Sequence, residues 1–236
     1  MKSKEILCVQ SEQVRTASAV AYKPKSKAMR SVWMLLLAAF ILLPASLLTS
    51  CSESDDDAEA EEYPNWQARN DAFFATLEDS LNRGGGQWKK FKCFTKDEKT
   101  VGANTEYVYA KVLENGDGGD SPIYTDTVRV AYRGRLLPST TYAEGYVFDQ
   151  TYVGNYNFDT TSVLDGAVGG FTNGFATALL HMNRNDRWRV YIPYQLGYGV
   201  SGTTGIPGCS VLIFDLVLID FAEETDKLYP WTSREI

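Results

Sequence analysis

The segment SVLIFDLVLIDF, residues 210–221, is apolar on both sides of an extended chain. Successive side chains of a strand point to opposite faces. Leu212, Phe214, Leu216 and Leu218 therefore share one face, and Val211, Ile213, Asp215, Val217 and Ile219 share the other. Four of the five residues in the second set are apolar as well. An antiparallel sheet with a solvated face alternates toward polar residues on that face. A fold built on this strand must therefore cover both sides of its sheet.

Other segments supply the sheet. WRVYIP (188–193) places Trp188, Val190 and Ile192 on one face and stops at Pro193. DTVRVAYRGRLL (126–137) alternates, with Val128, Val130 and Tyr132 opposite Arg129, Ala131 and Arg133. TEYVYAKVLENGDGG (105–119) reads as a strand entering a Gly-Asp turn, GYVFDQTY (145–152) as another strand, and QWKKFKCF (87–94) as a short edge strand. An irregular loop is expected from GYVFDQTY to about Gly170. In GFATALLHM (174–182), Phe175, Ala178, Leu179 and Met182 form one helical face. Strands, one short helix and more strands at hairpin-like spacing predict an α+β domain. Its sheet is antiparallel and curls over the helix.

A second helix is predicted in YPNWQARNDAFFATLEDSLNRGGG (63–86). Trp66, Asn70, Phe73, Phe74, Leu77 and Leu81 fall on one face, and Gly84–Gly86 end it. A short amphipathic helix is marginal alone in water and needs a partner. The outward face of the last strand, on the convex side of the sheet, is the partner expected. The alternatives are a cap over a binding pocket or a dimer arm.

The N-terminus has a different character. Lys23, Lys25, Lys27 and Arg30 precede SVWMLLLAAFILLPASLLTSC (31–51), an apolar run ending in small residues and Cys51. The pattern resembles a bacterial lipobox, in which the cysteine is acylated after cleavage; an ordinary signal anchor is the alternative. Residues 1–50 are thus expected to be a signal peptide, with Met29 a plausible start. Residues 51–62, CSESDDDAEAEE, form an acidic tether without apolar residues. They are either a plain linker or a surface-export signal. A lipid on Cys51 would make the cell envelope the location, at the outer membrane on its periplasmic or surface face. Residues 63–104 hold the helix and edge segment, 105–222 the main domain, and 223–236 a C-terminal tail.

Charge and composition exclude several functions. Residues 51–236 hold 16 Lys and Arg against 28 Asp and Glu, a net charge of −12. Such a chain repels phosphate backbones, so no nucleic-acid partner is expected. His181 is the only histidine and lies off the apolar face of its helix, which predicts solvation and no catalytic triad. Asp55–Asp57 and GDGGD (116–120) lack calcium-loop spacing, so no metal site is expected. Phosphate-binding glycine patterns are missing. Cys93 and Cys209 remain after the leader; export permits a disulfide, and two partly buried thiols are the plainer reading. What stands out is the aromatic content, 13% of the chain.

Five motifs in order carry a family resemblance: VRVAYRGRL, GYVFDQT, FTNGFATALLHM, WRVYIPYQLGYG and IPGCSVLIFDLVLI. From about Thr105 to Phe221 the chain resembles the FKBP-type peptidyl-prolyl cis–trans isomerases. The resemblance implies a curved antiparallel sheet wrapped around one short helix, here with an N-terminal helical extension. It also implies a pocket for a prolyl ring. Tyr132 would stand on the pocket wall, with Phe148 and Asp149 beside it. Phe175 takes the place of the family's floor tryptophan. Thr172 stands where a backbone N–H holds a substrate carbonyl, and Phe171 replaces the preceding valine. Tyr198 is the turn tyrosine, and Ile206 and Phe214 close the far wall. Of these, Tyr132, Phe148, Asp149 and Tyr198 are implied as catalytic and the rest as substrate-binding.

The implied partners are proline-containing polypeptides, with the membrane reached through lipid on Cys51. The implied chemistry needs no covalent intermediate or cofactor. Phe175 for tryptophan loses an indole N–H and some contact area. Asn185 replaces a turn glycine; asparagine tolerates the left-handed conformation. Residues 151–170 show no counterpart of the family's second pocket phenylalanine. Two functions follow: an active isomerase of exported proteins, or a non-catalytic binding or chaperone module on a tether.

Overall fold

A computed structural model describes residues 61–231 apart from 224, 225 and 227. The signal segment, Cys51 and most of the acidic tether lie outside the described residues. The chain runs through α1 (Trp66–Ala75), α2 (Leu77–Arg83), β1 (Trp88–Lys92), β2 (Tyr107–Glu114), β3 (Thr127–Arg135), β4 (Val147–Gln150), β5 (Leu164–Ala167), α3 (Asn173–Leu179), β6 (Arg187–Ile192) and β7 (Leu212–Ala222). The strands form one antiparallel sheet in the order β1-β2-β6-β7-β3-β4, and β5 joins the same edge of β3 as β4. The apolar strand of 210–221 is central, paired with β6 on one side and with β3 on the other. The expected α+β architecture is the one observed.

The concave side wraps α3. Phe175, Ala176, Ala178 and Leu179 of the helix are buried against Val108, Val130, Trp188, Val190, Leu212 and Leu216 of the sheet. Gly174 allows the close approach: a β-carbon there would stand 2.2 Å from Ile192 Cγ2. The turn into β6 contains Asn185 at φ 64°, the left-handed conformation expected of it. His181 is exposed, yet its ring stacks on Phe91 with centroids 4.2 Å apart. It is half of an aromatic contact rather than simply solvated.

The convex side has two covers. The first is α1. Phe74 meets Tyr109 of β2 edge-on, and Phe73 lies 6.0 Å from Tyr191 of β6. Trp66 Nε1 donates to Ser210 Oγ at 2.8 Å, and the buried Asn70 side chain bridges two backbones. Its Nδ2 donates to the Trp66 carbonyl, and its Oδ1 accepts from the Val211 N–H, both at 2.8 Å. The Tyr109 hydroxyl lies between the Glu78 carboxylate and the Asn104 side chain, tying α2 to the sheet. The apolar face of this segment does find the convex side. It does so as two helices, because Thr76 closes the first with both its N–H and its hydroxyl on the Phe73 carbonyl.

The second cover was not expected. Val217, Ile219 and Ala131 are covered by Tyr152, with Tyr156, Phe158, Val163 and Trp231 packed around them. The aromatic residues of the long loop thus turn to the back of the sheet. Arg129 holds this side together: it makes a bidentate pair with Asp165 of β5 at 2.7 and 2.5 Å and donates to the Tyr229 carbonyl. Between the two covers lies a bidentate Arg189–Asp215 pair, at 2.6 and 3.0 Å. Cys93 and Cys209 are both buried and free.

Asn70→Ala should strand the buried Val211 N–H, while the Trp66 carbonyl keeps its helical hydrogen bond. An unsatisfied buried group costs about 1–3 kcal/mol. Chemical denaturation should show a loss of that size, and an unchanged midpoint would mean that the bridge contributes nothing.

Candidate active site

Every residue that the family resemblance implied for the pocket lines one cavity of about 420 Å³. Tyr132 comes from β3, Phe148 and Asp149 from β4, Phe171, Thr172 and Phe175 from the start of α3, and Phe214 from β7. Tyr198 and Ile206 come from the loop between β6 and β7. Gly170, Thr203 and Thr204 complete the wall, and nothing in their local sequence marked them. They enter because the 199–208 loop folds back, its turn closed by hydrogen bonds between the backbones of Thr203 and Ile206.

The floor is aromatic and closely packed. The Phe214 ring stands edge-on to Phe175 at 5.0 Å, to Phe148 at 5.4 Å and to Tyr132 at 5.9 Å. Such pairs stabilise the arrangement by about 0.5–1.5 kcal/mol each beyond their burial. Gly134 makes room for it, because a β-carbon there would come within 2.6 Å of both the Phe148 and Phe214 rings. Phe171 stacks on Phe175 at 4.8 Å and 25°. The two substitutions noted in the sequence are thus in contact.

The polar groups stand at the rim. Tyr132 donates its hydroxyl proton to Asp149 Oδ2 at 2.5 Å. Asp149 and Tyr198 are exposed, whereas Tyr132, Phe175, Ile206 and Phe214 are all at most 8% exposed. The cavity is therefore dry at its base and polar at its mouth. Thr172 precedes α3 in an extended conformation, and its carbonyl accepts the first helical hydrogen bond, from Ala176. Among the described residues its own N–H has no acceptor, which leaves a donor at the rim. Residues 151–163 contribute no ring to the cavity, since Tyr152, Tyr156 and Phe158 face the other side.

Burial, and then the hydrogen bond to Asp149 and its charge, push the Tyr132 phenol well above the ordinary tyrosine value of about 10. The phenol therefore keeps its proton at any physiological pH. Because the folded value lies above the unfolded one, the stabilisation is complete below about pH 10 and fades as pH rises beyond it. In a ring-labelled NMR titration, Tyr132 should stay protonated while exposed tyrosines ionise, and Asp149→Ala should lower its midpoint. An ordinary midpoint in the wild-type chain would contradict this account.

Residues 119–219 match the family of FKBP-type peptidyl-prolyl cis-trans isomerases. Over 127 residues the chain is 34% identical to the FKBP-type peptidyl-prolyl cis-trans isomerase FkpA of Escherichia coli K12, covering 54% of this chain and 42% of that protein. It is 36% identical over 125 residues to the Macrophage infectivity potentiator of Trypanosoma cruzi, covering 49% of this chain and 58% of that one. With peptidyl-prolyl cis-trans isomerase FKBP9 of Rattus norvegicus it shares 36% over 103 residues, 44% of this chain and 16% of that one. The chain therefore spans less than two thirds of the length of each of these relatives. The aromatic cavity lies within the segment that matches the FKBP-type peptidyl-prolyl cis-trans isomerase family.

Proposed function

We propose that the chain accelerates cis–trans exchange of Xaa-Pro bonds in exported polypeptides, and that lipid on Cys51 holds it to the cell envelope. The observation that carries the first part is the cavity itself, with its dry floor of Phe175, Phe214 and Tyr132 beneath a polar mouth. Rotation about an amide must overcome about 18–20 kcal/mol because resonance is lost midway. Uncatalysed prolyl exchange takes tens to hundreds of seconds.

A twisted amide has less charge separation than a planar one, so it loses less on leaving water. A dry aromatic cavity therefore favours the transition state over both planar forms. The prolyl ring would lie on Phe175. The substrate carbonyl would accept from the Thr172 N–H. Tyr132, its proton committed to Asp149, would fix the carboxylate at the rim, and Tyr198 would orient the chain entering the mouth. No proton transfer is needed, which agrees with a chain containing one histidine.

A protease-coupled assay with apolar Xaa-Pro peptides tests the activity. The wild-type chain should exceed the buffer rate. Asp149→Ala removes the rim carboxylate and the acceptor of the Tyr132 hydroxyl. A hydrogen bond to a charged group is worth about 1.5–3 kcal/mol, so the variant should lower kcat/KM by about 10-fold or more and should lower the thermal midpoint without unfolding the domain. A wild-type rate equal to buffer would replace the isomerase with a non-catalytic binding module. Tyr198→Ala should also lower turnover.

The lipid anchor rests on the sequence LLTSC and on the acidic stretch that follows. Stable attachment takes more than one acyl chain. Cys51→Ala should release the protein from the membrane fraction; a variant that still sediments with membranes and is cleaved at the same place would refute the lipobox.

A further inference from the structure

A second cavity, of about 500 Å³, lies beside the first. Three separate stretches wall it: Glu62 and Tyr63 ahead of α1, Thr141, Tyr142 and Tyr146 between β3 and β4, and the far side of the 201–208 loop. The two cavities share Thr203 and Ile206. These residues close one tight turn, each accepting the other's backbone N–H at 2.9 Å. The partition is thus a single turn thick. A polypeptide with a proline in the first cavity can reach the second within a few residues.

The chemistry of the second cavity differs from that of the first. The Tyr142 and Tyr146 rings lie 5.0 Å apart, and Ile206 and Pro207 add apolar surface. The acidic group on its wall is Glu62. Its carboxylate accepts from the hydroxyls of Ser139 and Thr141 and from the Thr141 N–H at 3.0 Å. All three donors are neutral, and they hold the carboxyl below its usual range, so it is charged at neutral pH. The two arginines tied into this region donate elsewhere, Arg69 to the Pro138 carbonyl and Arg135 to the Glu144 carbonyl. Among the described residues, the carboxylate is therefore fixed in place without a counter-ion.

The backbone of the same segment is fixed too. The Thr140 N–H donates to the Glu62 carbonyl at 3.1 Å, and the Thr140 hydroxyl to the Glu61 carbonyl at 2.9 Å. The sequence adds to the charge: residues 55–62, DDDAEAEE, carry six carboxylates.

We propose that this groove is a second substrate site, which receives a lysine or arginine side chain a few residues from the isomerised proline. The alkyl stem would lie along Tyr142, Tyr146 and Ile206, and the cationic head would meet the Glu62 carboxylate. The segment ahead of α1 then serves in substrate selection as well as in tethering. This rests on the reading of the first cavity as the proline site.

The test uses the full chain and a set of prolyl peptides. They are identical except for one residue, lysine, norleucine or glutamate, placed in turn at each of several positions on either side of the proline. The readout is the ratio of kcat/KM for the lysine and norleucine peptides. At one or more positions the wild-type ratio should be about three- to tenfold, with glutamate below both. Glu62→Gln keeps a hydrogen-bonding side chain but removes the charge, and it should bring the ratio close to one. Added salt should shrink the wild-type ratio. A ratio that is the same in wild type and Glu62→Gln at every position overturns the proposal.

If no peptide is isomerised at all, the proline reading has failed separately, and binding of the lysine peptide then decides. Chemical-shift changes at Tyr142 and Tyr146 that Glu62→Gln weakens support the groove. Shifts that the substitution leaves unchanged refute it.

Discussion

The structure depends on a central strand that cannot face water on either side. β7 pairs with β6 over Leu212–Val217 and with β3 over Ile213–Ala222, so it lies inside the sheet. Its side chains then demand two covers. The concave side is covered by α3, and Leu212, Leu216 and Leu218 are fully buried. At the edge of that side, Phe214 packs edge-on against Phe175 of the helix and also lines the cavity. The site is therefore the place where the helix begins and the sheet continues past it. It is built from core residues, which is why it needs no separate scaffold and why its floor stays dry.

The sequence made legible whatever depends on local spacing. Alternation placed β3, β6 and β7, and the inward residues of each were read correctly. The ordered motifs brought nine residues together on paper that the fold brings together in space. What stayed hidden depends on contacts between distant segments. LDGA (164–167) has no alternation to announce a strand; it becomes one because β3 offers a free edge and Arg129 offers Asp165 a bidentate partner. Tyr152, Tyr156 and Phe158 gave no sign of which side of the sheet they would cover. Thr76 interrupts a helix whose apolar periodicity runs straight through it.

The substitutions in the pocket teach a similar lesson. Read singly, Phe175 loses an indole N–H and some contact area, and Phe171 merely replaces a valine. In the structure the two rings stack, so the change at one position is offset by the change at the other. Neighbouring residues of this kind do not contribute additively. A position-by-position comparison with a family pattern overstates the departure.

The Arg189–Asp215 pair lies on the convex face between the two covers and touches neither apolar cluster as a member. Its partly exposed charges stand between two apolar patches on one side of the sheet. Patches that share no side chains can open independently, as distinct cooperative units. The first unit is formed by the helices ahead of the sheet, and the second by the 151–163 loop with the end of the chain. Amide exchange in the two covers would then report two different opening energies, both below that of the strands beneath. The loop cover can loosen while the cluster that holds the cavity keeps its shape, whereas the helices ahead of the sheet belong to that same cluster.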